Sequence, residues 1–206
     1  MITEQEQNIL RVIAFVCKFA PGEIMLLGGS MIHPEILGVR RARPPSLDID
    51  FYTKKEGLER IHHLTEKHPK YGLPYTTIEG LTVGFYVGNI KGLEIDVKPV
   101  SVSTKFGIIY IIPPDLNAAL KVRRGIQKKG EIYGKDIYDI LAILSQEGSQ
   151  FPEYMNRYVC PECNLRSKYG CIHEILNGKP TQSLPSEYQK GIQTLINSKD
   201  KISCIY

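Results

Sequence analysis

Ile9, Val12, Ile13 and Val16 recur at positions i, i+3, i+4 and i+7, the apolar stripe of a helix with one buried face. Thr3 and Glu6 precede the stripe at capping-box spacing. The pattern predicts a helix from Thr3 to about Phe19, ended by Pro21-Gly22. The period then changes. Glu23 to Leu27 reads as a short strand running into Gly28-Gly29-Ser30, and Leu47-Asp48-Ile49-Asp50-Phe51 alternates strictly, as a half-buried strand does. Lys55 to about Lys67 reads as a helix stopped by Pro69. Pro74–Ile78 and Leu81–Val87 read as a hairpin turning at Glu79-Gly80. Leu93–Val97 alternates again and, with Ile108–Ile112, completes the expected sheet.

Beyond Pro113-Pro114 the helical period takes over. Asp115 is placed to cap a helix carrying Leu116, Ala119 and Leu120. A second helix over Lys135–Ser145 aligns Ile137, Ile140, Leu141 and Leu144. Residues 148–185 read as irregular, rich in Gly, Pro and Tyr. A last helix starts at Ser186 and carries Tyr188, Ile192, Leu195 and Ile196. Strands come mostly first and helices last, so the expected class is α+β. The expected organisation is a mixed-sheet domain over residues 1–112 and a helical region over residues 113–206. No internal repeat or low-complexity segment interrupts it.

Composition narrows the partners more than the fold. At 206 residues, 42% hydrophobic and 23% charged, the chain can bury one good core, or one core and a small appendage. No apolar run reaches the length of a membrane span and the N-terminus lacks a signal-peptide pattern, so a cytoplasmic location without membrane contact is expected. The net charge of +4 permits a polyanionic partner such as RNA without demanding one.

The chemistry centres on Asp48 and Asp50. Residues two apart on a strand share a face, so the two carboxylates stand side by side and repel. A hard cation with oxygen ligands, Mg²⁺ or Mn²⁺, relieves that repulsion. Asp96 on the Leu93–Val97 strand is the candidate third carboxylate. Backbone N–H groups of a Gly28-Gly29-Ser30 turn can approach a triphosphate closely, the Ser30 hydroxyl can add a hydrogen bond, and Lys121 can neutralise a pyrophosphate leaving group. Each signal alone has a plain alternative: a tight turn, a solvated strand face, the wet side of a sheet. The order of the parts raises the nucleotidyl-transfer reading above them.

Gly29-Ser30 followed by Asp48-x-Asp50 resembles the signature of the DNA polymerase β-like nucleotidyltransferase superfamily. The stretch Lys121…Arg124…Lys135-Asp136-Ile137-Tyr138-Asp139 is similar to the second half of its AbiEii branch, which includes MenT-type toxins of toxin–antitoxin systems. The resemblance covers roughly residues 24–145 and implies a nucleotidyltransferase-like mixed sheet with flanking helices. It further implies that Gly29 and Ser30 meet the triphosphate of an NTP, that Asp48 and Asp50 bind metal with Asp96 matching the third superfamily carboxylate, that Lys121 contacts the nucleotide, and that Asp136 or Asp139 supplies the acidic residue of the last motif. The implied acceptor is RNA, a tRNA 3′ end by analogy, and the implied partner an antitoxin protein. Asp136 has a plain reading too, as a charge suited to a helix start. Seventeen residues separate Ser30 from Asp48, more than the family usually has. The excess holds Arg40, Arg41 and Arg43 and reads either as a plain surface insertion or as cations for the triphosphate or an RNA backbone. A binding module without catalysis, or transfer to a protein or small molecule, are the rival readings.

Cys160-Pro-Glu-Cys163 and Cys171-Ile-His173 form a candidate zinc knuckle, in which two thiolates at C-x₂-C spacing and the later pair complete a tetrahedron. A redox pair or simple thiols compete with it. Cys17 reads as structural and Cys204 carries no signal. His62, His63 and His68 read as a solvated basic face, and His33 follows the glycine turn closely. Tyr154, Tyr158 and Tyr169 among Arg157, Arg166 and Lys168 suit either base stacking or a packed irregular region.

Overall fold

A computed structural model of the chain describes residues 2–39, 47–90, 92–129, 134–146, 148–161 and 186–203. It divides into two compact units, Met1–Ile36 with Pro45–Pro113, and Leu37–Pro44 with Pro114–Tyr206. Class α+β is what it shows, with a mixed sheet and flanking helices.

In the first unit, α1 spans Glu4–Cys17 and the capping box is closed in both directions: the Thr3 hydroxyl oxygen accepts the Glu6 N–H, and the Glu6 carboxylate accepts the Thr3 N–H at 2.7 Å. Ile9, Val12, Ile13 and Val16 are buried as the stripe requires, joined by Leu10, Ala14 and Cys17. Among the described residues nine strands follow: β1 Ile24–Leu27, β2 Asp48–Thr53, β3 Glu66–Lys67, β4 Pro74–Ile78, β5 Leu81–Val87, β6 Asn89–Ile90, β7 Leu93–Glu94, β8 Val100–Thr104 and β9 Gly107–Ile111. Between β1 and β2 lie a 3₁₀ turn, Gly28–Met31, and the short α2, Pro34–Leu37; α3, Lys55–Ile61, follows β2.

Seven strands make one sheet in the order β3-β4-β5-β2-β1-β9-β8. Within it β2 runs antiparallel to β1 and parallel to β5. The hairpin joining β4 to β5 turns where expected, with Glu79 and Gly80 both at positive φ, the conformation whose twist suits two adjacent antiparallel strands. β1 is buried at every position. On β5, Leu81, Val83 and Phe85 are buried while Thr82, Gly84 and Tyr86 are half-buried, so one face meets a core and the other stays open. Phe51 and Phe85 stack at 5.7 Å within that core.

Two expectations give way in this unit. The helix from Lys55 ends at Ile61, and Glu66–Lys67 instead pairs with β4 through Glu66↔Tyr75 and Lys67↔Pro74. Gly57, Thr65 and the histidines make a weak helix, so an open strand edge captures the segment's hydrogen bonds. The strand expected over Leu93–Val97 stops at Glu94 and pairs with β6 in a separate two-stranded ribbon. Gly88 and Gly92, both at positive φ, turn the chain back immediately after β5, and Pro99 lacks the N–H that a longer ladder needs. In its place β8, Val100–Thr104, joins the sheet by pairing with β9; its Ser- and Thr-rich composition hid it.

The second unit packs α4 Pro114–Lys129, α5 Gly134–Leu144, α6 Phe151–Tyr158 and α7 Gln189–Ser198, the last preceded by a 3₁₀ turn, Ser186–Tyr188. Leu116, Ala119, Val122, Ile137, Ile140, Leu141, Leu144 and Leu195 form its core. α6 lies in the stretch expected to be irregular. Only eight residues long, it stands because Phe151, Met155 and Tyr158 bury one face; tertiary packing rather than propensity sustains helices this short. Asp115 lies in the first turn of α4 and one of its oxygens accepts the Gln150 N–H at 2.8 Å, fixing the start of α6. Among the described residues no helix is long and apolar enough to cross a membrane.

Candidate active site

The carboxylates lie on the open face of the larger sheet. Side chains directly opposite in register share a face, so pairing defines rows. Asp48 pairs with Thr82, which pairs with Thr77. Asp50 lies between Leu27 and Gly84, and Gly84 pairs with Tyr75. Tyr52 lies between Met25 and Tyr86. Asp48 is exposed and Asp50 half-buried, while Ile49 and Phe51 between and beside them are fully buried on the other face. The alternation expected from the sequence is therefore present in space.

Two glycines flank Asp50. Gly28 sits at φ +79°, and a Cβ there would stand 3.3 Å from Asp50 Oδ2. Both the left-handed backbone and the close approach favour glycine at that point. On the other side a Cβ on Gly84 would stand 3.6 Å from Asp50 Oδ1. The turn and the strand are tied together by Ser30, whose hydroxyl donates to the Asp48 carbonyl oxygen at 3.3 Å and is itself buried. The same residue expected to reach a phosphate thus anchors the backbone of Asp48.

Asp96 is exposed, beyond the end of β7. Tyr52, on the carboxylate face of β2, donates its hydroxyl proton to the Ile95 carbonyl at 2.8 Å, which lays the Ile95-Asp96 segment over that face. Burial raises the Tyr52 phenol above its usual pKa, and the negative charges of Asp96 and Glu94 raise it further. Among the described residues no three His, Cys, Asp or Glu side chains stand together as a metal-binding group. Two carboxylates suffice for magnesium when phosphate oxygens complete the shell, and the space left by two absent Cβ atoms beside Asp50 suits that arrangement.

His33, close after the turn, is buried; its Nδ1 accepts the Glu35 N–H at 3.0 Å. Burial lowers its pKa below the ordinary value, against the opposing pull of Glu35.

The second unit gathers the remaining predicted residues. Lys121 on α4 meets Asp139 on α5 at 2.8 Å and Asp136 at 3.5 Å, and all three are buried. Asp136 and Asp139 share a helix face at i, i+3. Asp136 Oδ2 has no hydrogen-bond partner among the described atoms. One ammonium therefore faces two carboxylates.

Of the candidate zinc ligands, Cys163, Cys171 and His173 lie outside the described residues, as do Arg40, Arg41, Arg43, Tyr169, Arg166 and Lys168. Cys160 is buried, its thiol 3.6 Å from Asn156 Oδ1. Cys17 is buried with its thiol pushed up to about 11 by burial, an inert structural group. Sequence reasoning missed Tyr52, Gly84 and Tyr75 as neighbours of the carboxylates. Tyr52 was legible from the same period of two that paired Asp48 with Asp50; the other two needed the strand register.

No family model matches the sequence, and no curated protein matches it. Among solved structures, the fold is similar to that of an antigenic nucleotidyltransferase-like protein from Paracoccidioides brasiliensis, at 14% identity and a TM-score of 0.53, over 92% of this chain and 94% of that one. The solution structure of the antibiotic-resistance factor ANT(2″)-Ia also aligns, at 17% identity and a TM-score of 0.49, over 79% of this chain and 97% of that one. The fold is a nucleotidyltransferase-like fold.

Proposed function

We propose that the protein is a metal-dependent nucleotidyltransferase that moves a nucleoside monophosphate from an NTP to an acceptor hydroxyl. The observation that carries this reading is the pair Asp48 and Asp50 on an open sheet face, abutted by the Gly28–Met31 turn and bare of side-chain bulk at Gly28 and Gly84. In the reaction the acceptor hydroxyl gives up its proton to water as its oxygen bonds to the α-phosphorus, the bond from that phosphorus to the oxygen bridging the β-phosphate breaks, and pyrophosphate leaves with that electron pair. Asp48 and Asp50 are the residues that would hold Mg²⁺ or Mn²⁺. When bound, such a cation neutralises the triphosphate and lowers the pKa of the attacking hydroxyl.

Each of this chain's own groups has a part. Ser30 holds the Asp48 backbone in place. The N–H groups at the Gly28-Gly29 turn are the donors suited to phosphate oxygens. Asp96 is the third carboxylate of the reading, held over the same face through Tyr52. For Lys121, Asp136 and Asp139, the family resemblance supports nucleotide contact, while their burial supports a structural ion triad.

By the same resemblance the acceptor is RNA, a tRNA 3′ end, and the biological role that of a toxin with an antitoxin partner. The test is incubation of total RNA with each ribonucleoside triphosphate, radiolabelled at the α-phosphate, and Mg²⁺, comparing wild type with Asp48→Ala/Asp50→Ala. Label in an RNA band with wild type only is expected. Label in protein or metabolites instead moves the acceptor. No metal-dependent pyrophosphate release from any NTP overturns the transferase and leaves a binding module.

A further inference from the structure

The row holding Asp50 does not end at Gly84. It continues through Tyr75 on β4 to Glu66 on β3, the outer strand. With strands about 5 Å apart, Tyr75 stands roughly 10 Å from Asp50 on the same face, with only glycine between them. Gly84 has no backbone need of glycine, since its φ is not in the left-handed region, and a Cβ there would meet nothing closer than 3.6 Å. Glycine inside a strand weakens it and marks places where a ligand comes close.

Beyond Tyr75 the rings continue. The His68 ring lies 4.9 Å from Tyr75 and 4.8 Å from Tyr71 between centroids. Tyr71 is 64% exposed. The His68 ring is oriented by its Nδ1, which accepts the Lys70 and Tyr71 N–H groups at 3.1 and 3.3 Å. One ammonium group borders the rings and a second lysine lies exposed nearby. Lys70 Nζ lies 5.3 Å from the centre of the Tyr71 ring, and the Lys67 side chain is exposed, its stem passing close to Gly72. Flat rings bordered by lysines, with a polar floor of Thr77 and Thr82 beside them, match the alternation of bases and phosphates in a single strand. An acidic peptide would use the lysines and leave the rings idle.

We propose that Tyr75, His68 and Tyr71 form a stacking platform for the bases of a single-stranded nucleic acid, which runs from the sheet edge across Gly84 to Asp48 and Asp50. This rests on the reading of those carboxylates as the transfer site and adds the residues that deliver the acceptor to them. Tyr75 and Gly84 set the approach; Tyr71 supplies the outermost ring.

The experiment is fluorescence anisotropy of a labelled single-stranded RNA octamer with the full chain, without NTP or divalent metal. Tyr71→Ala is expected to raise Kd by roughly five- to a hundredfold, Tyr71→Phe to keep wild-type binding, and Gly84→Val to weaken binding while the melting temperature holds. Lys70→Gln is expected to flatten the salt dependence of binding. Wild type that fails to bind the octamer, or Tyr71→Ala that binds as wild type does, overturns the platform. So does an octaglutamate peptide that competes as well as unlabelled RNA. Transfer chemistry is read separately by pyrophosphate release with NTP and Mg²⁺. Tyr71-dependent binding without such release keeps the platform and ends the transferase reading. Release that is lost in Asp48→Ala, with octamer binding indifferent to Tyr71, does the reverse.

Discussion

Each unit of this protein contains a close pair of aspartates, and the two pairs live under opposite conditions. Asp48 and Asp50 alternate on a strand and reach toward solvent, one exposed and one half-buried. Asp136 and Asp139 follow one another on a helix face, both buried, with the Lys121 ammonium 3.5 and 2.8 Å away. Carboxylates out of water need a cation built into the chain, because an uncompensated buried charge is costly. Carboxylates at an open face keep their hydration and can exchange it for a cation and phosphates that arrive together. The same residue type at nearly the same spacing thus stands toward solvent in one place and is buried against an ammonium in the other.

The largest expected effect sharpens the open pair. Asp50→Ala should lower pyrophosphate release on the order of a thousandfold, as loss of a central electrostatic group does, with the melting temperature nearly unchanged. A large loss of stability instead would make Asp50 a structural residue like those of the second unit. Lys121→Ala should do the opposite and cost about 3–5 kcal/mol in urea unfolding, since it leaves two buried carboxylates without their ammonium. Asp139→Asn in the same background should recover part of that loss. A cost near zero would break the comparison by showing that the triad opens to solvent.

A smaller effect separates charge from packing in the second unit. A Cβ on Gly191 would collide with the Leu141 carbonyl oxygen across the contact of α7 with α5. Gly191→Ala should therefore cost about 1–3 kcal/mol through overpacking, independent of pH. The smallest effect belongs to the first unit. His33 is held below its ordinary pKa of 6.5 by burial, so below that pH the unfolded chain takes up a proton more readily than the native ring does. Stability should be undiminished above about pH 6.5 and decline as the pH falls beneath it. His33→Gln should flatten that decline in melting curves taken across the range.

Local rules carried much of this molecule. The capping box of α1, the turn at Glu79-Gly80 and the period-two strand at Asp48–Thr53 each depend on neighbours within a few residues, and each is found where its pattern stands. Failures came where distant partners decided. The Glu66–Lys67 strand exists because β4 offers an edge, α6 because Asp115 and the unit's core receive it, and Asp96 leaves its expected strand because a glycine turn diverts the ladder.

The candidate site divides along the same line. That Asp48 and Asp50 share a face, that a glycine turn precedes them, and that Lys121, Asp136 and Asp139 lie on helices follow from the sequence alone, since strand and helix periods are properties of the backbone. That Gly84 and Tyr75 continue the row of Asp50, that Tyr52 carries the Asp96 segment, and that Lys121 is enclosed with two carboxylates were decided only by the tertiary structure. Register between strands and burial between helices depend on residues tens of positions apart, and no local period encodes them.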